Sequence, residues 1–321
     1  MTASSSALQR NGVVIDETFA EAFPMKATRI VITAHTIEWA RHAAVSATGF
    51  ATSVIACGCE AGVERELGGH ETPDGRPGLS VLMFSMSGKE LGKQLERRVG
   101  QCVLTCPTTA VFAGLPRNAG GDLAALGKNL RFFGDGWQIS KVIDGVRYWR
   151  VPVMDGEFVA QEDTPVVKAV GGGNLLLLAR DTDGALAAAE AAVAAMKQLP
   201  NVVMPFPGGV VRSGSKVGSR YANLNASTND AFCPSLVGLV PRSELASKDG
   251  APVQEIGCVM EIVIDGLTEA DVAAAMRVGM EAAIAIGPAG GLLRISAGNY
   301  GGKLGPFHFH LHKLLGAGDA P

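Results

Sequence analysis

A repeat constrains this chain more than any other feature: the same order of short β-branched runs and helical periodicities occurs twice. Ala27–Ala34 (ATRIVITA) is too short for a helix and suits a buried strand. Thr36–Ala47 then places Ile37, Ala40, Ala44 and Ala47 at helical spacing, and Thr52–Ala56 (TSVIA) reads as a second strand. Beyond the Gly/Pro-rich turn Glu71–Gly78, the pattern predicts a strand over Leu79–Met86, an amphipathic helix over Lys89–Val99 and a strand over Gln101–Thr105. The second half repeats the order. Strand Asn174–Ala179 precedes the alanine-rich helix Gly184–Gln198, and the short strand Val202–Met204 is ended by Pro205 and Pro207. Strand Cys258–Ile264 follows, then a helix capped by Thr268 that runs to about Ile286, then strand Leu292–Ser296. Two β-α-β units per half form the split βαβ pattern. Asp144-Gly145 and Asp155-Gly156 predict hairpins between the halves. The expected fold is therefore α+β, with two ferredoxin-like lobes (11–160 and 161–315) joined by a hairpin-rich segment. A doubly wound parallel sheet is disfavoured, because Ala34-His35-Thr36 stands where a dinucleotide-binding glycine loop would follow the first strand.

Length and composition agree with two lobes: 321 residues, 47% hydrophobic and 18% charged. The mean hydropathy of +0.21 is high, yet no apolar run approaches the roughly 20 residues a membrane span needs. The excess comes from alanine, as in Ala185–Ala195, and predicts burial between subunits. A net charge of −3 offers no basic face to a nucleic acid. Met1–Arg10 lacks an apolar signal core, so a cytoplasmic chain is expected. Six cysteines, none in CxxC spacing, read as reduced thiols packed as small hydrophobes.

The loops that break the hydrophobic pattern carry the candidate chemistry. In Pro205–Ser219 (PFPGGVVRSGSKVGS), glycines expose backbone N–H groups, serines such as Ser215 and Ser219 add donors, and Arg212 and Lys216 supply charge. The segment suits an anion, lacks P-loop spacing, and serves equally as a flexible connection. Ser227, Thr228, Asn229 and Asp230 are four consecutive polar residues able to bond ring amides and carbonyls; a helix-capping turn is the simpler reading. In Ser296–Gly305 (SAGNYGGKLG), Asn299 and Lys303 are directed donors on a glycine-rich loop after the last strand. Phe133 and Asp135, within Leu130–Trp137 (LRFFGDGW), offer a planar face beside an acid, although Phe132 and Phe133 also suit a core.

Glu261 is the most pointed feature. It interrupts strand Cys258–Ile264, and alternation puts Val259, Glu261 and Val263 on one face. A carboxyl among apolar neighbours keeps its proton more firmly, as acid–base work near neutral pH requires. An open sheet face, with Glu261 meeting water or a cross-strand lysine, is what spacing alone favours. His308, His310 and His312 alternate along a C-terminal strand, but no acid or thiol cluster accompanies them and no metal site is expected. No GxSxG elbow supports a Ser-His-Asp triad.

An ordered series of segments carries a resemblance. It runs from NGVVIDETFAEAF (Asn11–Phe23) through ATGFATSV, ETPDGRPG, GQCVLTCPT, FFGDGW and VPVMDGEF. It continues with PFPGG, SKVGS, STNDAFCP, EIVIDGL, SAGNYGGKLG and HLH, covering nearly the whole chain. The chain resembles the formylmethanofuran:tetrahydromethanopterin formyltransferases of methane-forming archaea and their counterparts in C1-oxidising bacteria. The resemblance implies two ferredoxin-like lobes, a homo-oligomer (dimer or tetramer), and formyl transfer between N5 of a pterin carrier and the primary amine of a furan carrier. The carriers would be substrates, with no permanently bound cofactor and no catalytic metal. Glu261 falls on the glutamate of the family's EIVI strand, its acid–base candidate, and the polar loops fall on the carrier-binding cleft. In C1-oxidising bacteria the relatives work with a hydrolase that releases formate, which implies a direction towards the furan amine and a hydrolase complex as partner. A non-catalytic scaffold subunit of such a complex is the alternative. Two stretches, Pro116–Lys128 and Leu236–Gly257, are longer than the family pattern and are expected to be surface loops.

Overall fold

The computed structural model describes residues 8–246 and 255–316. The first half contributes β1 (Phe19–Thr33), α1 (Ile37–Thr48), β2 (Glu60–Leu67), β3 (Gly78–Ser85), α2 (Gly88–Arg98) and β4 (Ala110–Ala113). The second contributes β5 (Asp163–Ala179), α3 (Thr182–Met196), β6 (Val202–Val203), β7 (Cys258–Gly266), α4 (Glu269–Ile286) and β8 (Leu292–Ser296). Each of these four long helices starts on a side-chain cap: Thr36, Ser87, Asp181 and Thr268 each accept a backbone N–H of the first turn.

The strands lie in the order β4-β1-β3-β2 in the first half and β8-β5-β7-β6 in the second, every neighbour antiparallel. The halves are joined into one mixed sheet because β1 and β5 outrun their own units. They pair with each other, Ala27 opposite Val167 and Phe23 opposite Gly171. The hairpin of Leu8–Arg10 and Val13–Ile15 adds to the second half through a parallel pairing with β8. Strands Ile139–Ile143, Val146–Val153 and Gly156–Gln161 form the hairpins between the halves, with Asp144 and Gly145 both at positive φ in the first turn.

Each half has its own core between helices and sheet. Ile30, Ile32, Leu79, Val81 and Met83 meet the alanines of α1 in one; Leu175, Leu177, Ile262 and Ile264 meet α3 and α4 in the other. The alanine excess is spent here, not on an exposed face alone. Ala185, Ala188, Ala189 and Ala192 of α3 are fully buried, and a Cβ on Gly279 of α4 would meet Met196 Cε at 1.9 Å. At that contact the Met196 side chain fills the space between the helices, so position 279 of α4 has room for glycine alone.

Several expectations shift. Thr52–Ala56 is not a strand: Ser53 caps a single helical turn, Val54–Cys57, and Gly58 ends it at φ 73°. The strand is β2, whose charged sequence hides it because Glu60 and Glu64 are buried acids. Gln101–Thr105 is likewise no strand, since α2 continues as a wide-turned helix over Val99–Val103 and β4 starts at Ala110. Pro116–Lys128 is not only a surface loop, because Asp122–Ala125 pairs with β5. Of Leu236–Gly257, residues 247–254 lie outside the described residues, and Leu245 is buried. His308 and His310 lie on strand Phe307–His310, but His312 is on the helical turn Leu311–Leu314, where its Nε2 bonds the carbonyl of Ile15 at 2.9 Å. Among the described residues no group of three or more His, Cys, Asp or Glu could hold a metal. Among them, too, no helix is long and apolar enough to cross a membrane.

Candidate active site

β7 gives its two faces to different neighbours. Ile262 and Ile264 point to α3 and α4, while Val259, Glu261, Val263 and Asp265 face away from the helices. That second face is not open to water. The segment after β6 first pairs along the edge of β7, Val211 and Glu261 exchanging backbone hydrogen bonds of 2.7 and 2.9 Å, and then brings Ser215 onto the Glu261 side chain. Glu261 is consequently 1% exposed.

One oxygen of Glu261, Oε1, accepts the hydroxyl of Ser215 at 2.7 Å; among the described residues Oε2 has no partner. Burial pushes this carboxyl up to about 7, the bonds from Ser215 only partly opposing it. Among the described residues it has no ion pair. A dry carboxyl with one free oxygen and a proton poised near neutrality can both give and take that proton.

Glu21 on β1, also 1% exposed, has the reverse environment. Burial again pushes it up, but four backbone amides outweigh that, and it is held down at about 2. The donors are Tyr300, Gly302, Leu304 and Gly305, at 2.6 to 2.9 Å. The Tyr300–Gly305 part of the loop is wrapped around one anion. Its Tyr300 is half-buried, and its phenol is pushed up by burial and then by the charges of Glu261 and Glu21.

Two clefts meet at this point. The first, of about 600 Å³, is polar and carries Asp16, Arg242, Glu244, Arg294 and Asn299. The second, of about 470 Å³, is mostly apolar, walled by Phe23, Met25, Val54, Ile55 and Phe206. Ser215, Lys216, Val217 and Tyr300 line both, so they form the common wall. Glu261 lies behind that wall and lines a void of about 20 Å³; Ser215 connects it to the clefts.

Ser215, Lys216, Asn229 and Asn299 line the first cleft; Ser215, Lys216, Ser227 and Thr228 line the second. Asp230 stays behind, bonding Lys216 at 3.0 Å and Arg242 at 2.5 Å, with Lys216 first in holding its carboxyl low. Ser219 only accepts the amide of Tyr221 at 3.1 Å, and Lys303 is exposed outside both clefts. Phe133 and Asp135 line neither cleft; Phe133 is 64% exposed beside α2, and Asp135 ends a helical turn at φ 50°. Sequence reasoning missed Glu21, Tyr300, Arg242 and Arg294. The signal that found Glu261, an acid inside an apolar strand, also marks Glu21 between Ala20 and Ala22.

Residues 8–153 match the family described as formylmethanofuran-tetrahydromethanopterin formyltransferase, and residues 156–314 match its described proximal lobe. The formylmethanofuran–tetrahydromethanopterin formyltransferase of Methylococcus capsulatus is 66% identical, over 95% of this chain and 99% of that protein. A component of the formyltransferase/hydrolase complex of Methylorubrum extorquens is 50% identical, over 95% of this chain and 96% of the relative. Two solved structures superimpose on the chain. The formyltransferase/hydrolase complex of M. extorquens with methylofuran gives a TM-score of 0.90 at 49% identity, covering 98% of this chain and 100% of that one. The Methanosarcina barkeri formyltransferase gives 0.86 at 46%, covering 96% and 100%. The chain belongs to the formylmethanofuran–tetrahydromethanopterin formyltransferase family.

Proposed function

We propose that this protein transfers a formyl group between N5 of a tetrahydromethanopterin-type carrier and the primary amine of a methanofuran-type carrier, with Glu261 as the proton-handling residue. The carrying observation is a buried carboxyl near pKa 7, bonded to Ser215 on the wall that two clefts share. One carrier per cleft would bring amine and formyl group together at that wall, where fixed geometry removes much of the entropic barrier. The amine attacks the formyl carbon, and a tetrahedral intermediate forms with charge on its oxygen. The intermediate then loses whichever nitrogen is protonated. Glu261 takes the proton from the attacking nitrogen and returns it to the leaving one through the Ser215 hydroxyl. Both reactants are the carriers themselves, so the reaction draws on no further resident group.

Substituting Glu261→Gln keeps shape and hydrogen bond but removes the exchangeable proton. Steady-state assay with formyl-pterin and furan amine should show kcat lowered by about 10²–10⁴-fold. Undiminished turnover would discard the role of Glu261. Complete inactivity of the wild-type protein inside a reconstituted hydrolase complex would favour the scaffold reading instead.

The finer architecture follows the same proposal. Each half, 11–160 and 161–315, is a ferredoxin-like lobe; the antiparallel order fourth-first-third-second in both supports this. The protein acts in the cytoplasm, in oxidative one-carbon metabolism such as formaldehyde oxidation, as a homo-oligomer (dimer or tetramer) or within a formyl hydrolase complex. The apolar hairpin segment, with Trp137, Ile139, Val142 and Met154 exposed, supports assembly.

A further inference from the structure

A tetrahedral intermediate needs a path for its proton and a donor for its oxygen, and Glu261 with Ser215 supplies only the first. The wall shared by the two clefts holds few candidates for the second. Its residues are Ser215, Lys216, Val217 and Tyr300. The Ser215 hydroxyl is committed to Glu261 Oε1, the Lys216 ammonium sits 3.0 Å from Asp230 Oδ1, and valine has no polar side chain. Tyr300 remains. Among the described residues the hydrogen bond it donates comes from its backbone amide, which leaves the phenol uncommitted. The ring leans on Phe23, with centroids 6.0 Å apart. Burial and then the charges of Glu261 and Glu21 keep the phenol protonated, so it is a neutral donor where Glu261 titrates.

The loop that carries Tyr300 is fastened on both sides of it. Gly298, Gly301 and Gly302 flank the tyrosine, the last two at φ 76° and 71°, so this sequence has little stiffness of its own. The sheet supplies it. On one side Asn174, buried on β5 opposite Val263, bonds both the amide and the carbonyl of Gly298, at 2.6 and 3.1 Å. On the other, Glu21 accepts the amides of Tyr300, Gly302, Leu304 and Gly305. Two buried polar side chains, one from each half of the molecule, are thus given to a single turn. Neither lines either cleft; the residue their bonds place on the wall is Tyr300. A donor aimed at developing charge is effective only when it is held in advance in this way.

We propose that Tyr300 is a further catalytic residue, whose hydroxyl donates a hydrogen bond to the formyl oxygen as the tetrahedral intermediate forms. The lone pair of the attacking nitrogen makes the new C–N bond while the carbonyl π pair moves onto the oxygen, which Tyr300 holds without giving up its proton. The pair returns as the bond to the leaving nitrogen breaks, and the proton exchanged between the nitrogens passes through Ser215 and Glu261. The assignment rests on the formyl-transfer reading and adds the group that bears the charge. Tyr300→Phe keeps the ring and removes the donor. In steady-state assay kcat should fall about 10²–10³-fold in both directions, with KM for each carrier within about threefold of wild type. An N-thioformyl furan amine gives a second reading, since sulfur is the poorer acceptor: replacing oxygen by sulfur should slow the wild type about tenfold more than it slows the variant. Amide exchange at Gly302, Leu304 and Gly305 should be the same in both proteins, which separates a lost donor from a loosened loop. An undiminished kcat, an equal sulfur effect, or faster exchange accompanying the loss overturns this assignment alone. A raised KM with kcat retained also overturns it. Wild-type protein that transfers no formyl group between the carriers sinks it together with the formyl-transfer reading.

Discussion

Glu261 and Glu21 are both 1% exposed, yet one carboxyl is pushed up to about 7 and the other held near 2. Donors decide the difference: one hydroxyl bonds Glu261, whereas four amides bond Glu21. The pH dependence follows with opposite signs. Between its ordinary 4.5 and about 7, folded Glu261 holds a proton that the unfolded chain has released, so its contribution to stability is full below 4.5 and is lost as pH rises through 7. The shift corresponds to about 3 kcal/mol at most. Glu21 does the reverse: its contribution is present above 4.5 and is lost as pH falls towards 2. Urea denaturation of Glu261→Gln and wild type at pH 5 and pH 8 should show the variant gaining relative stability at the higher pH. A constant difference between the two would mean that Glu261 is not buried and protonated. For Glu21→Gln, hydrogen exchange at the amides of Tyr300, Gly302, Leu304 and Gly305 should speed up, because a side-chain amide presents one acceptor oxygen instead of two. Global stability should fall by about 1–3 kcal/mol. Unaltered exchange at all four would remove Glu21 as the anchor of the loop.

Among elements, the close helices set sharper limits than their sequences suggest. Gly184 sits in the first turn of α3, where alanine ordinarily adds up to ~1 kcal/mol of helix stability. Here a Cβ would meet Gly291 Cα at 2.8 Å and Gly290 O at 3.0 Å, both main-chain atoms that cannot swing aside. Gly184→Ala should therefore lower stability by about 1–3 kcal/mol, read as a reduced urea midpoint, against the propensity scale. A gain would show that the backbone yields. The same elements explain what could be read in advance. Strands on the helix-facing cores, such as Leu79–Met86 and Cys258–Ile264, follow apolar runs and were legible. β2 was not, because Glu60 and Glu64 are buried through partners far away in sequence: Asp265 for one, and Arg29, Ser80 and Asn201 for the other. Glu261 was legible as an oddity within its strand, but the loop that closes over it is not a periodic feature, so its burial was invisible. Phe133 and Asp135 stand out in the sequence by residue type, and type carries no information about which end of the fold a turn occupies; the turn lies away from both clefts.

Across the whole molecule, β1 and β5 run through both halves, and Arg29, Glu64 and Asn201 tie the halves together beside them. Glu64 accepts from Arg29, Ser80 and the Asn201 amide, so Glu64→Ala leaves the half-buried Arg29 guanidinium resting on Asn201 Oδ1 and Ser80 without its acceptor, and should cost about 2–3 kcal/mol. The measurement is chemical denaturation, with single-transition unfolding expected for wild type because neither half keeps its full sheet alone. Two separated transitions in the wild-type protein would contradict that dependence.

The partition formed by Ser215–Val217 and Tyr300 also bears on traffic. Whatever settles on one side of it presses against groups that the opposite guest must touch. Saturating the protein with either carrier should alter its grip on the other by an identical factor, since linkage forbids a one-way influence. An enzyme so arranged senses whether its counterpart has arrived before it commits to exchange.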